Sequence, residues 1–191
     1  MKLHAVAFES ALLQPWRNGG GSTHEYLAWP VANDWALRVS VADVERDGPF
    51  SPYPGVDRWF SVLAGSGVSL RFDGGETWRV TRDKAMLQFD GERAPHCTLV
   101  DGPTRDLNVM GVRDRGNAVC EMVENGVARV AQTSLRAIFA GAATRLLRDG
   151  EPDVELPALT LAWSENDEGR IWRAVTQGRA WWIEFTVRIP R

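Results

Sequence analysis

Three short segments of this sequence combine side chains suited to binding a small polar molecule. The first spans residues 15–25 and has the sequence PWRNGGGSTHE. Its three consecutive glycines let the backbone turn freely and approach a ligand closely. The segment lacks the Lys-Ser/Thr ending of a phosphate-binding loop. It is therefore either a flexible surface loop or a pocket wall that offers backbone N–H groups and the side chains of Trp16, Arg17, Asn18, Thr23 and Glu25.

The second segment spans residues 47–59, with the sequence DGPFSPYPGVDRW. Its three prolines fix the backbone, so we expect a rigid loop beside a strand that begins near Arg58. An arginine at the start of a strand can hold a carboxylate with its planar set of donors. The structural alternative is a salt bridge between Arg58 and either Asp47 or Asp57.

The third segment alternates polar and apolar side chains. Asp106, Asn108 and Met110 share one face of a predicted strand, because side chains alternate between the two faces. Arg38 and Ser40 share a face of another predicted strand in the same way. Polar side chains that face the interior of a barrel need partners. These residues either satisfy one another or line a ligand cavity.

The same alternation recurs through most of the chain and predicts an all-β fold. Gly-rich and Asp-Gly turns separate the runs, which is typical of a sandwich or a barrel. The last predicted strand begins at Trp181 and reaches Ile189. The other predicted strands start near Trp35 and Asp106 and cover residues 58–64, 68–72, 77–81, 96–100, 159–163 and 171–175.

A faint internal repeat supports two similar β units. Leu63-Ala64-Gly65, Leu70 and Asp73-Gly74 are each followed 76 residues later by Phe139-Ala140-Gly141, Leu146 and Asp149-Gly150. We therefore predict strands rather than a helix over residues 133–147. No linker separates the copies, so we expect one compact body with a shared core and approximate halves 1–120 and 121–191.

Composition excludes several classes of protein. The net charge is −3 and lysine occurs only at Lys2 and Lys84, which argues against a nucleic-acid partner. Without a long apolar stretch or a signal sequence, we expect no membrane association and a cytoplasmic location. The three histidines are too dispersed to predict a metal site, so we expect no metal and no cofactor. Cys97 and Cys120 are expected to be free buried thiols.

Together, the three segments resemble the HutD/Ves family. The resemblance is close over roughly residues 3–113 and extends to the remainder in outline. It rests on the 15–21 motif with Thr23 and Glu25, residues 35–40, 47–51, 54–55, 57–58, 89–91 and 106–110, and Arg113. It implies a bicupin fold, in which two cupin-like (RmlC-like) β barrels are fused into a double barrel. It also implies binding of a histidine-degradation intermediate and a role in regulation, with no established catalytic activity.

Our first hypothesis is a binding protein for a small carboxylate such as N-formylglutamate or urocanate. Arg58, Arg17 or Arg38 would hold the carboxylate, and Asn18, Ser40, Asp106 and Asn108 would contact its amide or formyl group. Trp16, Phe50 and Phe89 would exclude water. Thr23, Glu25, Ser51 and Met110 complete the predicted ligand-binding set.

Two other hypotheses stay open at this point. The protein could be a metal-free isomerase or hydrolase acting on a small carboxylate, with Glu25 or Asp106 as the general base. It could instead be a protein-interaction module with an exposed patch of Trp172, Trp181 and Trp182. Those tryptophans could equally form a second core or the seam of a homodimer.

Overall fold

The computed structural model describes residues 2–130, 133–166 and 169–188, so the predicted strand position Ile189 lies outside the described residues. Apart from one 3-10 turn at Phe8–Ser10, the regular elements of this part are strands. The first eleven are β1 (His4–Ala7), β2 (Leu12–Pro15), β3 (Gly21–Trp29), β4 (Leu37–Val44), β5 (Gly48–Pro49), β6 (Val56–Ala64), β7 (Val68–Arg71), β8 (Thr77–Val80), β9 (Leu87–Asp90), β10 (His96–Leu99) and β11 (Thr104–Val112). The others are β12 (Gly116–Met122), β13 (Arg129–Val130), β14 (Leu135–Ala140), β15 (Thr144–Arg148), β16 (Val154–Leu156), β17 (Thr160–Glu165), β18 (Ile171–Thr176) and β19 (Ala180–Val187).

The chain divides into two compact units. The N-terminal unit comprises residues 12–114, and the C-terminal unit comprises the described residues of 1–11 and 115–191. The first strand, β1, therefore belongs to the C-terminal unit, where it pairs with β17. The sequence pattern gave no indication of this exchange, since a strand pairing so distant leaves no local signal.

The N-terminal unit contains two antiparallel sheets. The six-stranded sheet has the order β2-β3-β4-β11-β6-β9, and the four-stranded sheet has the order β5-β10-β7-β8. Apolar side chains of both sheets pack into one core, which includes Val44 and Phe60 from the larger sheet and Leu70 and Cys97 from the smaller one. Strands β4, β11 and β6 are adjacent inside the larger sheet, so their side chains are held from both sides.

The C-terminal unit repeats this arrangement. Its sheets have the orders β1-β17-β14-β19-β12 and β13-β18-β15-β16. The orders β17-β14-β19-β12 and β13-β18-β15-β16 repeat β9-β6-β11-β4 and β5-β10-β7-β8 at an offset of eight strands, so β14 corresponds to β6 and β19 to β11. The larger sheets differ at their edges, where β1 adds to β17 and β3 adds to β4. The repeat inferred from sequence is thus a repeat of strands, and the prediction of strands over residues 133–147 is confirmed by β14 and β15.

Three tryptophans of the C-terminal unit are buried. Trp172 and Trp182 belong to its core, with ring centroids 6.3 Å apart, and Trp181 is 1% exposed beside Phe139. The hypothesis of an exposed tryptophan patch is therefore wrong, because all three of these indole rings are buried.

The all-β prediction is confirmed, and the predicted alternating strands correspond to β4, β6–β8, β10, β11 and β17–β19. The short strands β1, β2, β5, β9, β13 and β16 and the longer β3 and β12 lack a clear alternation and were not predicted. Within the part of the chain that the structure describes, no helix has the length and apolarity to cross a membrane.

Candidate functional site

The N-terminal unit holds a cavity of about 430 Å³. It is bordered by the face of the larger sheet formed by β3, β4, β11 and β6, by the turn between β2 and β3, and by the proline-rich loop after β5. Its walls are formed by Gln14, Pro15, Trp16, Arg17, Asn18, Thr23, Arg38, Ser40, Ala42, Val44, Pro49, Phe50, Ser51, Tyr53, Arg58, Phe60, Asn108 and Met110. All these residues lie within the N-terminal unit, and the volume suits a small organic molecule.

Strand register determines which polar side chains meet in the cavity. Met110 on β11 pairs with Arg38 on β4 and with Arg58 on β6, so the two arginines flank Met110 on one face of the sheet. Two residues before Met110 on β11, Asn108 pairs with Ser40. Because side chains alternate along each strand, these residues share one face, as the sequence predicts.

Arg58 is the most unusual group in the cavity wall, since it is a cation that is only 4% exposed. Its Nη2 donates a hydrogen bond of 2.9 Å to Oδ1 of Asn108, and its Nη1 donates a long one of 3.4 Å to the carbonyl of Ser51. The rings of Phe50, Tyr53 and Phe89 surround the guanidinium, with centroids 5.3, 5.6 and 5.0 Å from Cζ. These aromatic faces stabilise the cation but supply no negative charge.

No carboxylate pairs with Arg58 among the described residues, and its Nε has no hydrogen-bond partner there. The alternative drawn from the sequence, a salt bridge from Arg58 to Asp47 or Asp57, is therefore wrong. Asp57 instead accepts a hydrogen bond of 2.9 Å from Arg113, and Asp47 accepts one from the backbone N–H of Leu99. Burial lowers the pKa of Arg58 from its ordinary value to about 10, with Tyr53 opposing the decrease and the charge of Arg38 adding to it. Arg58 is still a cation at neutral pH.

The second arginine of the cavity has an internal partner. Nε of Arg38 lies 2.6 Å from Oε2 of Glu25, and both side chains are 13% exposed. The two terminal amino groups of Arg38 make no hydrogen bond within the described part of the chain. The hydroxyl of Ser40 likewise has no partner among the described residues. These groups are free to bind a ligand in the cavity.

The turn between β2 and β3 carries Trp16, Arg17 and Asn18 to the cavity. The indole N–H of Trp16 donates a hydrogen bond of 2.8 Å to Oγ1 of Thr23, and the backbone N–H of Trp16 donates one of 2.9 Å to the carbonyl of Gly21. The glycines themselves do not line the cavity. The two alternatives drawn from the sequence, a flexible surface loop and a pocket wall, are thus both incomplete. The glycines form the turn, and the side chains of the residues before and after them form the wall.

Gly21 is required because β3 and β4 approach closely at that point. A Cβ atom at residue 21 would lie 2.1 Å from the carbonyl oxygen of Asp43. We expect Gly21→Ala to lower the free energy of unfolding by roughly 2–4 kcal/mol, since the backbone must shift to relieve the clash. Urea denaturation would measure the change. Gly48→Ala, where a Cβ meets no atom within 4 Å, is the matched control and should cost no more than about 0.5 kcal/mol. Equal costs at both positions would contradict this account of Gly21.

The structure brings most of the predicted ligand-binding residues to the cavity and leaves three outside its lining. Glu25 lies behind Arg38, Phe89 packs under Arg58, and Asp106 is completely buried. The sequence analysis did not select two aromatic residues that line the cavity, Tyr53 and Phe60. Phe60 lies two residues after Arg58 on the same strand, so the alternation itself could have identified it.

Asp106 has an environment unlike that of a general base in a cavity. Its Oδ2 accepts a hydrogen bond of 2.8 Å from Oγ1 of Thr104, and its Oδ1 has no partner among the described residues. Burial raises the pKa of Asp106 from 3.8 to about 7; the Thr104 hydrogen bond opposes the rise, and the negative charge of Asp43 adds to it. With Glu25 held by Arg38, neither predicted general base lines the cavity.

The donor set of the cavity does not suit a transition metal. Its lining contains no histidine, cysteine or carboxylate side chain, and those are the groups that bind such ions. Over residues 2–130, 133–166 and 169–188, no three histidine, cysteine or acidic side chains lie close enough together to hold a metal ion. What the cavity does offer is hydrogen-bond donors around a positive charge.

The C-terminal unit carries a carboxylate at the position that corresponds to Asn108. Glu184 on β19 is 76 residues after Asn108 and pairs in register with the buried Arg136 on β14. The Glu184 carboxylate lies 2.8 Å from Nε of Arg129 and 3.6 Å from Nε of Arg136. There Glu184 pairs with the buried Arg136 and the partly exposed Arg129, whereas the N-terminal unit has the neutral amide of Asn108 at that position. Arg136 lies 76 residues after Phe60, which pairs with Asn108, so Arg136 is not the counterpart of Arg58.

Comparisons with known proteins agree with this fold and identify the family. A 21.2 kDa protein from the hutC 3' region of Pseudomonas putida is 31% identical over 128 residues, which are 66% of this chain and 67% of that protein. The protein Ves of Citrobacter koseri is 37% identical over 105 residues, about half of each chain (54%). The solved structure of HutD from Pseudomonas fluorescens SBW25, described as a formate condition, is 26% identical and superposes with a TM-score of 0.88, covering 98% of this chain and 100% of that one.

The fold is the cupin-like all-β fold that the sequence predicted, present as two units. Solved structures that are only 6–11% identical also superpose, with TM-scores between 0.60 and 0.70, and they show the fold alone. The HutD family model matches residues 9–182. The chain therefore belongs to the HutD family, and the family resemblance drawn from its three motifs is confirmed.

Proposed function

We propose that this protein binds a small carboxylate, such as N-formylglutamate or urocanate, and thereby regulates histidine utilisation. One observation carries the proposal: Arg58 is a buried cation at a cavity wall and has no acidic partner among the described residues. A charge removed from water without a partner costs several kcal/mol. A ligand carboxylate in the cavity would supply the missing negative charge.

The surrounding groups suit a carboxylate. Asn108 Oδ1 fixes the guanidinium by accepting a hydrogen bond from Nη2, and the three aromatic rings hold it from other sides. The amide nitrogen of Asn108 and the hydroxyl of Ser40 make no hydrogen bonds with the described residues and are free to donate, while Nη1 of Arg58 makes only the long hydrogen bond of 3.4 Å to the Ser51 carbonyl. Charge-assisted hydrogen bonds from an arginine to a carboxylate are about twice as strong as neutral ones.

The C-terminal unit supports the same interpretation from within the chain. There Glu184, which corresponds to Asn108, pairs its carboxylate with the buried Arg136 and with Arg129. Since Asn108 replaces that carboxylate in the N-terminal unit, an external carboxylate would take its electrostatic role. The names of the relatives, HutD and a protein of the hutC region, support a ligand from histidine degradation.

Thermal denaturation in the presence of each histidine-degradation intermediate tests the proposal. We expect urocanate or N-formylglutamate at saturating millimolar concentration to raise the melting temperature by about 5 °C or more, since ligand at 100 times its Kd stabilises a protein by about 2.7 kcal/mol. Urocanamide, which lacks the charge, is the matched control and should give little shift. No shift with any of the carboxylates would contradict this ligand class.

A further inference from the structure

The two arginines on the sheet face of the cavity, Arg38 and Arg58, differ in their local charge. Arg38 and Arg58 flank Met110 across three adjacent strands, so their Cα atoms are roughly 10 Å apart, two strand spacings. Arg58 has no acidic partner among the described residues, whereas Glu25 lies 2.6 Å from Nε of Arg38. The Arg38–Glu25 pair therefore has no net charge, although the terminal amino groups of Arg38 still border the cavity.

A paired arginine and an unpaired arginine select different ligand groups. The unpaired Arg58 favours a negative charge. The amino groups of Arg38 can donate to an oxygen, but a second carboxylate there would lie close to the Glu25 carboxylate in a poorly solvated site. Like charges at short distance disfavour each other strongly when water is excluded. An uncharged acceptor, such as an amide, formyl or imine group, meets no such repulsion.

We infer that Glu25 limits the buried part of the cavity to one negative charge, so that the ligand places a carboxylate at Arg58 and an uncharged hydrogen-bond acceptor at Arg38. This inference rests on the proposed function, because it assumes that Arg58 binds a carboxylate. Glu25 is then a specificity-determining residue that acts through Arg38 without lining the cavity. A second carboxylate of a longer ligand would face the cavity mouth, where Arg17 is exposed.

Succinamate and succinate provide a direct test, because they have nearly the same shape and differ by one charge. We expect calorimetric titration at pH 7.5 to give a Kd at least about tenfold lower for succinamate. Glu25→Gln keeps the hydrogen bond from Arg38 but removes the opposing charge, so it should reverse the preference in favour of succinate. The double variant Glu25→Gln/Arg38→Gln removes both charges and should restore the preference for succinamate.

The control and the variants separate the possible failures. Glu76→Gln breaks an ion pair with Arg93 away from the cavity and should leave the ratio of the two Kd values unchanged. Equal binding of both probes to the unaltered protein would overturn this inference while the proposed function stands. If neither probe binds at millimolar concentration, this inference is overturned; the proposed function then falls only if urocanate and N-formylglutamate also fail. If circular dichroism shows that Glu25→Gln does not fold, the ratio of the two Kd values in the unaltered protein still tests the inference.

Discussion

Replacing Arg58 with methionine should abolish carboxylate binding without lowering the stability of the free protein. The variant removes a buried cation of the cavity wall that has no acidic partner among the described residues, so we expect the Kd for urocanate or N-formylglutamate to rise at least about 100-fold. Methionine fills a similar volume among Phe50, Tyr53 and Phe89, and replacing a buried charge with an apolar side chain is often neutral or stabilising. Calorimetric titration and urea denaturation would measure the two effects.

Arg113 provides the matched control for this prediction. It lies in the same unit but is half-exposed, pairs with Asp57 and Asp90, and does not line the cavity. Arg113→Met should retain ligand binding and lose a small amount of stability. If Arg58→Met instead unfolded the free protein while binding persisted in the folded fraction, Arg58 would be a structural residue and the proposed site would be wrong.

Replacing Asp106 with asparagine should stabilise the protein at pH 8 and have little effect near pH 4. Burial raises the pKa of this carboxyl from 3.8 to about 7, so the folded state keeps a proton that the unfolded state has lost between these values. The stability of the unaltered protein must therefore fall as pH rises from about 4 to about 7. The full difference corresponds to roughly 4 kcal/mol, which is the gain expected for Asp106→Asn at pH 8.

Denaturation curves at pH 4, 6 and 8 would measure this dependence. Asparagine retains an oxygen that can accept the hydrogen bond from Thr104, so the fold should not change. Asp90→Asn is the control, since the pKa of Asp90 is shifted in the opposite direction. A backbone hydrogen bond from Glu92 and the side chain of Arg113 lower the pKa of Asp90, so its contribution is present at neutral pH and lost in acid. An Asp106→Asn variant that is less stable than the unaltered protein at pH 8 would show that Asp106 is ionised and paired.

The sequence predicted the strands that carry the site because the two faces of each strand carry side chains of different polarity. On β11, Asp106, Asn108 and Met110 alternate with Leu107 and Val109, and the period of two made their shared face visible. The turn and proline motifs were equally informative, since their residue types are tied to backbone geometry. The family resemblance then indicated that these separate segments belong to one site.

Partner choice within the cavity could not be predicted. Arg58 has Asp57 next to it and Asp47 in the preceding loop, yet Arg113 and the backbone of Leu99 engage those carboxylates. Likewise, Glu25 and Arg38 become an ion pair only because β3 and β4 are adjacent in the sheet. Such pairings depend on long-range register, which no local pattern of residues specifies. The complete burial of Asp106 and the pairing of β1 with the C-terminal unit were not predicted for the same reason.

The position of a bound carboxylate tests the central claim most directly. A crystal structure of the protein with urocanate should show the carboxylate oxygens within hydrogen-bond distance of the Arg58 guanidinium, with the amide nitrogen of Asn108 or the hydroxyl of Ser40 as a further donor. Urocanate bound elsewhere, with the Arg58 guanidinium solvated only by water in an otherwise empty cavity, would contradict the account.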